Sequence, residues 1–255
     1  MSQRFIASDG VALAFQRWGE ENPAPPVVLH HGFAASAASN WEGPGIVQAL
    51  VDAGRPVLAL DARGHGGSGK PQDAGAYGER RMAQDLTELL TEFGLDQVDV
   101  FGYSMGAVVA LLMASTGKHV RRLVIGGVGE AVIECGGVDT RQVSRRDIAQ
   151  ALLAESADEV AHPGGGAFRA FAQHIGNDLK ALAAQAQSFH CEPIDLTAIT
   201  APTLVLAGVD DVLAANPQRI AGAIHGARCL VFPGDHLSVI RDPGLTAAAV
   251  DFLKP

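Results

Sequence analysis

The pentapeptide Gly102-Tyr103-Ser104-Met105-Gly106 constrains this chain more than any other stretch, because it lies between a strand-like run and a helix-like one. Val98-Asp99-Val100-Phe101 reads as a short buried strand, and Met105 to Ala114 is apolar nearly all round, as suits a helix pressed tightly against a sheet. A G-x-S-x-G between strand and helix is a sharp turn that holds the serine exposed at a helix N-terminus. Glycine is demanded where a Cβ would collide with neighbouring elements. A chain built around such a turn needs strands covered by helices.

The flanking sequence supplies them. Arg4 to Ala7 and Ala12 to Trp18 read as strands joined by Ser8-Asp9-Gly10-Val11, whose Asp-Gly is a hairpin signal. Parallel strands are expected at Val27 to His31, Pro56 to Leu60, Val98 to Phe101, Arg122 to Ile125, Thr203 to Leu206 and Cys229 to Phe232, since continuous apolar runs imply cover on both faces. Met82, Leu86, Leu89, Leu90 and Phe93 recur at helical spacing. Asn216-Pro217 and Asp242-Pro243 read as N-caps followed by proline at the first helical position, the second opening a helix with Leu245, Ala248, Ala249 and Phe252 on its apolar face. The expected fold class is α/β, a mostly parallel central sheet flanked by helices on both faces. Residues 129–195 break the alternation and carry alanine-rich segments around Gly164-Gly165-Gly166. They form a small helical insertion over the carboxyl ends of the strands, and residues 1–128 and 196–255 make up the core domain.

A net charge of −9 with arginines clustered no further than Arg121-Arg122 and Arg145-Arg146, pairs expected at solvated edges, excludes a surface that follows a phosphate backbone. No window approaches the roughly 18 apolar residues of a membrane helix, and Met1 to Gly10 has no apolar signal core, so a cytoplasmic protein with no nucleic-acid or membrane partner is expected. Cys135, Cys191 and Cys229 are far apart and read as free thiols, with neither a metal site nor a cofactor implied.

A serine hydroxyl at neutral pH needs a base, usually a histidine oriented by a carboxylate. Among nine histidines, His236 follows the last strand and so reaches the carboxyl edge of the sheet. His225 precedes that strand, and His119, His162, His174 and His190 belong to surface or insertion segments. His30, His31 and His65 lie beside the site and are expected to serve as structural hydrogen-bonding groups. The acid should leave the strand ending Leu206-Ala207-Gly208, where Asp210 and Asp211 are adjacent and only one can face His236. Glu130 is the reserve.

These residues resemble the α/β-hydrolase superfamily over almost the whole chain outside the insertion. His31-Gly32-Phe33 is similar to its H-G loop and Asp61-Ala62-Arg63-Gly64-His65-Gly66-Gly67-Ser68 to its D-x-R-G-x-G-x-S loop; the serine turn and the Asp-His pair complete the match. The resemblance implies Ser104 as nucleophile, His236 as base, and Asp211, three residues after Gly208, as acid. It also implies the backbone N–H groups of Phe33 and Met105 as oxyanion donors. The Asp61 to Ser68 loop is expected to brace the sheet edge and to be non-catalytic. Relatives with an aspartate nucleophile act on haloalkanes or epoxides, chemistry that Ser104 excludes. A serine hydrolase of small ester-like substrates, a carboxylester or a lactone, working through an acyl-enzyme is therefore expected. Perhydrolase, carbon-carbon hydrolase, lyase and non-catalytic ligand binding are the alternatives on the same scaffold. Phe168, Phe171, Leu179, Leu182 and Phe189 either line an apolar acyl pocket for short to medium chains or fix the insertion to the body.

Overall fold

The computed structural model describes residues 2–255. Its eight-stranded sheet contains β1 (Gln3–Ile6), β2 (Ala12–Trp18), β3 (Val27–His30), β4 (Val57–Leu60), β5 (Val98–Tyr103), β6 (Val120–Gly126), β7 (Thr203–Gly208) and β8 (Arg228–Phe232), in the order β1-β2-β4-β3-β5-β6-β7-β8. The β1–β2 and β2–β4 pairings are antiparallel and the rest are parallel. Chain order reverses between β3 and β5, so the carboxyl ends of these neighbours open the crevice in which α/β sheets bind ligands. Met1 lies outside the described residues. Among those residues no helix is long and apolar enough to cross a membrane.

Strand side chains alternate between two cores. Leu13, Val28, Leu58, Val100, Leu123 and Val205 face one side, where α2 (Glu79–Glu92) and α3 (Met105–Ala114) pack. Val27, Leu29, Val57, Phe101, Val124 and Leu204 face the other, covered by α1 (Ile46–Asp52) and the C-terminal helix (Pro243–Phe252) through Leu245 and Ala249. Every residue of α3 is buried, which explains its lack of a polar face. Two local expectations fail. Strand β8 is incompletely covered, with Leu230 and Val231 exposed, because it is the edge of the sheet. Asn216 makes no side-chain cap; its amide instead donates to Glu130, and Pro217 alone starts the helix Pro217–Ala223, whereas Asp242 does accept from the N–H groups of Gly244 and Leu245.

Between β6 and β7 the chain forms α4 (Ala131–Cys135), α5 (Arg145–Leu153), α6 (Pro163–Ile175) and α7 (Leu179–Ala186). The glycine triplet lies inside the first turns of α6, where it is neither loop nor hinge. A Cβ at Gly165 would come within 2.8 Å of the Asp147 carbonyl and 2.9 Å of the Ala151 methyl, so glycine lets α5 and α6 approach closely.

Buried polar contacts fix the crevice. The Arg63 guanidinium makes a two-pronged contact with Asp85 at 2.7 Å for each prong and reaches Asp9 at 2.8 Å, tying the β1–β2 turn and α2 to the loop after β4. Arg121 is not merely a solvated edge residue: with Arg55 it neutralises Asp99, which is wholly buried. Asp61 accepts the N–H groups of Ala37 and Gly67 at 2.8 Å. His31 donates through Nδ1 to the Gly32 carbonyl at 2.8 Å and accepts the Ala62 N–H on Nε2 at 3.0 Å; His65 donates to the Arg63 carbonyl and accepts the Ala34 N–H, each at 3.0 Å. A ring nitrogen that accepts must be unprotonated, so both imidazoles are neutral.

Two stability predictions follow from these contacts. A methyl at Gly106 would run into the His30 carbonyl, which belongs to a central strand and cannot move aside. Gly106→Ala should therefore cost at least about 3 kcal/mol of unfolding free energy in urea titration. The second concerns acid. Burial pushes His30 down to about 3 and holds His31 and His65 below the usual imidazole range. For these groups the unfolded chain binds more protons, so their stabilisation is complete above about pH 6.5 and is lost as the pH falls. Glu79, pushed up to about 7 by burial, acts oppositely: its contribution is complete below about pH 4.5 and is lost as the pH rises towards 7. His190 is likewise held low by burial and the Asp85 carboxyl is likewise raised by it, so the histidines dominate and unfolding takes up protons between pH 6 and 5. Unfolding free energy should therefore fall as the pH drops from 6 to 5, measured by urea midpoints. A flat response would show that the histidines are charged in the folded state.

Candidate active site

Ser104 sits at the carboxyl end of β5 with φ 54° and ψ −117°, a left-handed backbone in which a non-glycine residue is strained. The surroundings enforce it. A Cβ at Gly102 would overlap the backbone of Gly106, and one at Gly32 would lie 3.3 Å from the Ser104 Cβ. The Ser104 N–H donates to the Gly126 carbonyl at 2.8 Å, and its carbonyl accepts from Ala107 and Val108 in the first turn of α3. The hydroxyl thus stands over the helix N-terminus, where peptide dipoles favour negative charge.

The loop after β8 brings His236 to this hydroxyl, with Nε2 3.0 Å from Ser104 Oγ. Asp235 shapes that loop by accepting from Leu237 N–H, Ser238 N–H and the Ser238 hydroxyl, contacts that hold its own carboxyl below the usual range. On the other side of the imidazole, Nδ1 lies 2.8 and 3.0 Å from the two carboxylate oxygens of Asp211. A carboxylate here can only accept, so Nδ1 carries the proton and the Nε2 lone pair faces the serine. Asp211 is buried and also accepts the N–H groups of Leu213 and Ala214, which fix its rotamer. Asp210, by contrast, is exposed at the mouth of the crevice. Glu130 is taken up by Arg219, Arg141 and Asn216.

The turn after β3 faces the same serine. Gly32 N–H donates to Asn40 Oδ1 at 3.0 Å, Ala34 N–H to His65, and the Ala34 carbonyl accepts from Asn177 Nδ2 at 2.7 Å. Ala34 itself has φ 59°. Among the described residues no protein acceptor takes the N–H of Phe33 or of Met105, the two donors expected from the sequence. The Asp61 to Ser68 loop therefore does more than brace the sheet edge, because His65 and Asp61 hold the segment that carries Phe33.

Above the serine lies a cavity of about 570 Å³, and a recess of about 30 Å³ opens beside it. Of the insertion residues singled out in the sequence, Phe168 and Phe171 line the cavity, Phe168 and Phe189 line the recess, and Leu182 is wholly buried in the core with Leu179 packed against it. His174 reaches the cavity rim, while His162 caps α6 through its ring nitrogen. Sequence reasoning missed Tyr103, whose hydroxyl donates to the His236 carbonyl at 2.7 Å and whose ring lies 5.4 Å from the imidazole. A signal was present in Gly126-Gly127: a Cβ on either would come within 2.8 Å of the Tyr103 ring, and on Gly127 within 3.1 Å of His236 Cε1. Asn40 and Asn177 left none, the partner of Asn177 lying 143 positions away.

Several known proteins are similar to this chain. Residues 25–134 match the family model described as alpha/beta hydrolase fold. Epoxide hydrolase A of Mycobacterium tuberculosis is 41% identical over 108 residues, which cover 42% of this chain but only about a third, 32%, of that protein's own length. Non-heme chloroperoxidase CPO-A1 of Kitasatospora aureofaciens is 28% identical over 92% of each chain. A crystal structure of a hydrolase from Pseudomonas aeruginosa PA01 superposes with a TM-score of 0.81 at 27% identity, covering 100% of this chain and 98% of that one. With its eight-stranded, mostly parallel sheet, its serine turn and these matches, the chain has the α/β-hydrolase fold.

Proposed function

We propose that the protein is a serine hydrolase of small ester-like substrates, with Ser104 as nucleophile, His236 as general base and acid, and Asp211 as the group that orients the imidazole. The observation that carries this reading is the unbroken chain from Ser104 Oγ to His236 Nε2 at 3.0 Å and from Nδ1 to Asp211 at 2.8 Å, opening on a largely apolar cavity. His236 takes the hydroxyl proton as Oγ attacks the carbonyl carbon. The oxygen that becomes negative is met by the Phe33 and Met105 N–H groups, each such donor contributing about 3 kcal/mol to the transition state. Collapse breaks the bond to the alcohol, which leaves with the proton from His236, and a water activated by the same imidazole then releases the acid. Asp211 stabilises the imidazolium without accepting the proton. The insertion of residues 129–195 acts as a lid that keeps bulk water from this chemistry. A serine at the turn argues against epoxide opening despite the partial match to an epoxide hydrolase. The similarity along nearly the whole chain to a non-heme chloroperoxidase favours one second reading, attack of hydrogen peroxide in place of water on the same acyl-enzyme.

A fluorophosphonate probe should label Ser104 alone, and peptide mapping that finds the label in Ser104→Ala would overturn the assignment. With an activated ester, Asp211→Asn should lower kcat by roughly 10²- to 10⁴-fold while Asp210→Asn loses less than about tenfold. A crippled Asp210→Asn with an active Asp211→Asn would reverse the acid. Peracid formation on adding hydrogen peroxide and acetate would establish the second reading.

A further inference from the structure

The two compartments that meet at Ser104 are very unequal, and their positions relative to His236 decide what each can hold. In acyl transfer the bond from carbonyl carbon to Ser104 Oγ forms, the bond to the alcohol oxygen breaks, and that oxygen takes its proton from His236 Nε2. The alcohol must therefore lie on the histidine side, and the acyl chain must leave the carbonyl carbon in the other direction. The cavity of about 570 Å³ is bordered by His236, Leu237 and Ile240. The recess of about 30 Å³ is bordered by Ser104, Gly127, Ile148 and Phe189, and His236 is not among its walls. Resting on the hydrolase reading above, we propose that the substrate joins a very small, uncharged acyl group, of acetyl or propionyl size, to a bulky and largely apolar alcohol.

The partition is built from aromatic rings. Phe33 and Phe168 border both compartments, with their centroids 5.9 Å apart and edge to face, and Phe189 meets Phe33 edge to face at 5.0 Å. A volume of about 30 Å³ holds on the order of two water-sized groups, enough for one or two carbons beyond the carbonyl. The larger compartment falls in the size range that encloses a drug-sized ligand, roughly 300 to 1,000 Å³. The far wall of the recess includes Asp139, a buried carboxylate that the Arg141 guanidinium and N–H hold below the usual range. It stays ionised at neutral pH, and its cation is already engaged, so an acyl chain ending in a carboxylate meets like charge.

Purified protein is given 2-naphthyl acetate, butyrate and hexanoate, which share one leaving group, and mono-2-naphthyl succinate. Overpacking a closed recess costs about 1 to 3 kcal/mol for each step in size, so kcat/KM for acetate should exceed that for hexanoate by at least about 30-fold, with succinate no better than hexanoate. On the alcohol side, 2-phenylethyl acetate should be preferred to ethyl acetate by at least about tenfold. Phe168→Ala removes the shared wall and should shrink the acetate-to-hexanoate ratio at least about tenfold, whereas Phe171→Ala, which borders only the large cavity, should leave that ratio within about threefold. Equal rates for acetate and hexanoate in a protein whose Ser104 labels normally would overturn the inference and leave the hydrolase reading intact. An unlabelled Ser104 with no ester turned over would overturn the hydrolase reading, and this inference with it.

Discussion

Everything at the reaction centre depends on how closely the first turn of α3 approaches the end of β3. Gly106 lies so near the His30 carbonyl that no side chain fits between them, and Gly102 is pressed as tightly against Gly106 itself. Only this contact lets the chain leave β5, turn through a left-handed serine and enter a helix within three residues. The strain at Ser104 is held by ten buried residues of α3, the Ser104 N–H bond to Gly126 and the sheet on either side. Because β3 is the strand being touched, the turn that follows it is brought to the serine at the same time.

Holding that turn open requires buried polar groups, and histidine suits the task. Neutral imidazole can donate from one nitrogen and accept on the other, so His31 and His65 each join a carbonyl to an N–H across two loops. Each leaves the backbone bonded without burying a charge. Charge is buried elsewhere in balanced form, with Arg63 between Asp85 and Asp9 and Asp99 between Arg55 and Arg121. Such pairs cost desolvation and are weak sources of net stability, but an arginine with two fixed carboxylates specifies which loops meet.

The strands and the serine turn were legible because each is local. Continuous apolar runs marked six strands and the Asp-Gly hairpin signal the first two, each to within a few residues, and a strand, a glycine-flanked serine and an apolar helix read as one unit. Of the two adjacent aspartates, spacing alone left both open, and Asp211 emerged only through the resemblance to the superfamily; in the structure Asp211 meets His236 and Asp210 faces solvent. What escaped was non-local. Asn177 reaches Ala34 across 143 positions, and Tyr103 reaches His236 across 133. The exposure of β8 is a property of sheet order, which a run of apolar residues does not encode. The glycine triplet carried no sign of its role, since its purpose, to let two helices touch, depends on a neighbouring helix.

The core and the insertion carry different parts of the chemistry, yet they are not independent. Asn177, between α6 and α7, donates to the Ala34 carbonyl, and through its Oδ1 it accepts the Gly66 N–H at 3.3 Å. The insertion is thus anchored to the turn that carries Phe33. The same turn supplies the Phe33 ring that packs on Phe168 and Phe189. Displacing α6 would therefore alter both the size of the recess and the turn that carries Phe33, so in the proposed reading specificity and transition-state stabilisation would be coupled at one residue. Motifs shared across the superfamily cannot choose a substrate because they build only the half of the site that breaks the bond. In the proposed reading the half that would select the acyl group is bordered by α6, which Gly165 lets lie close against α5.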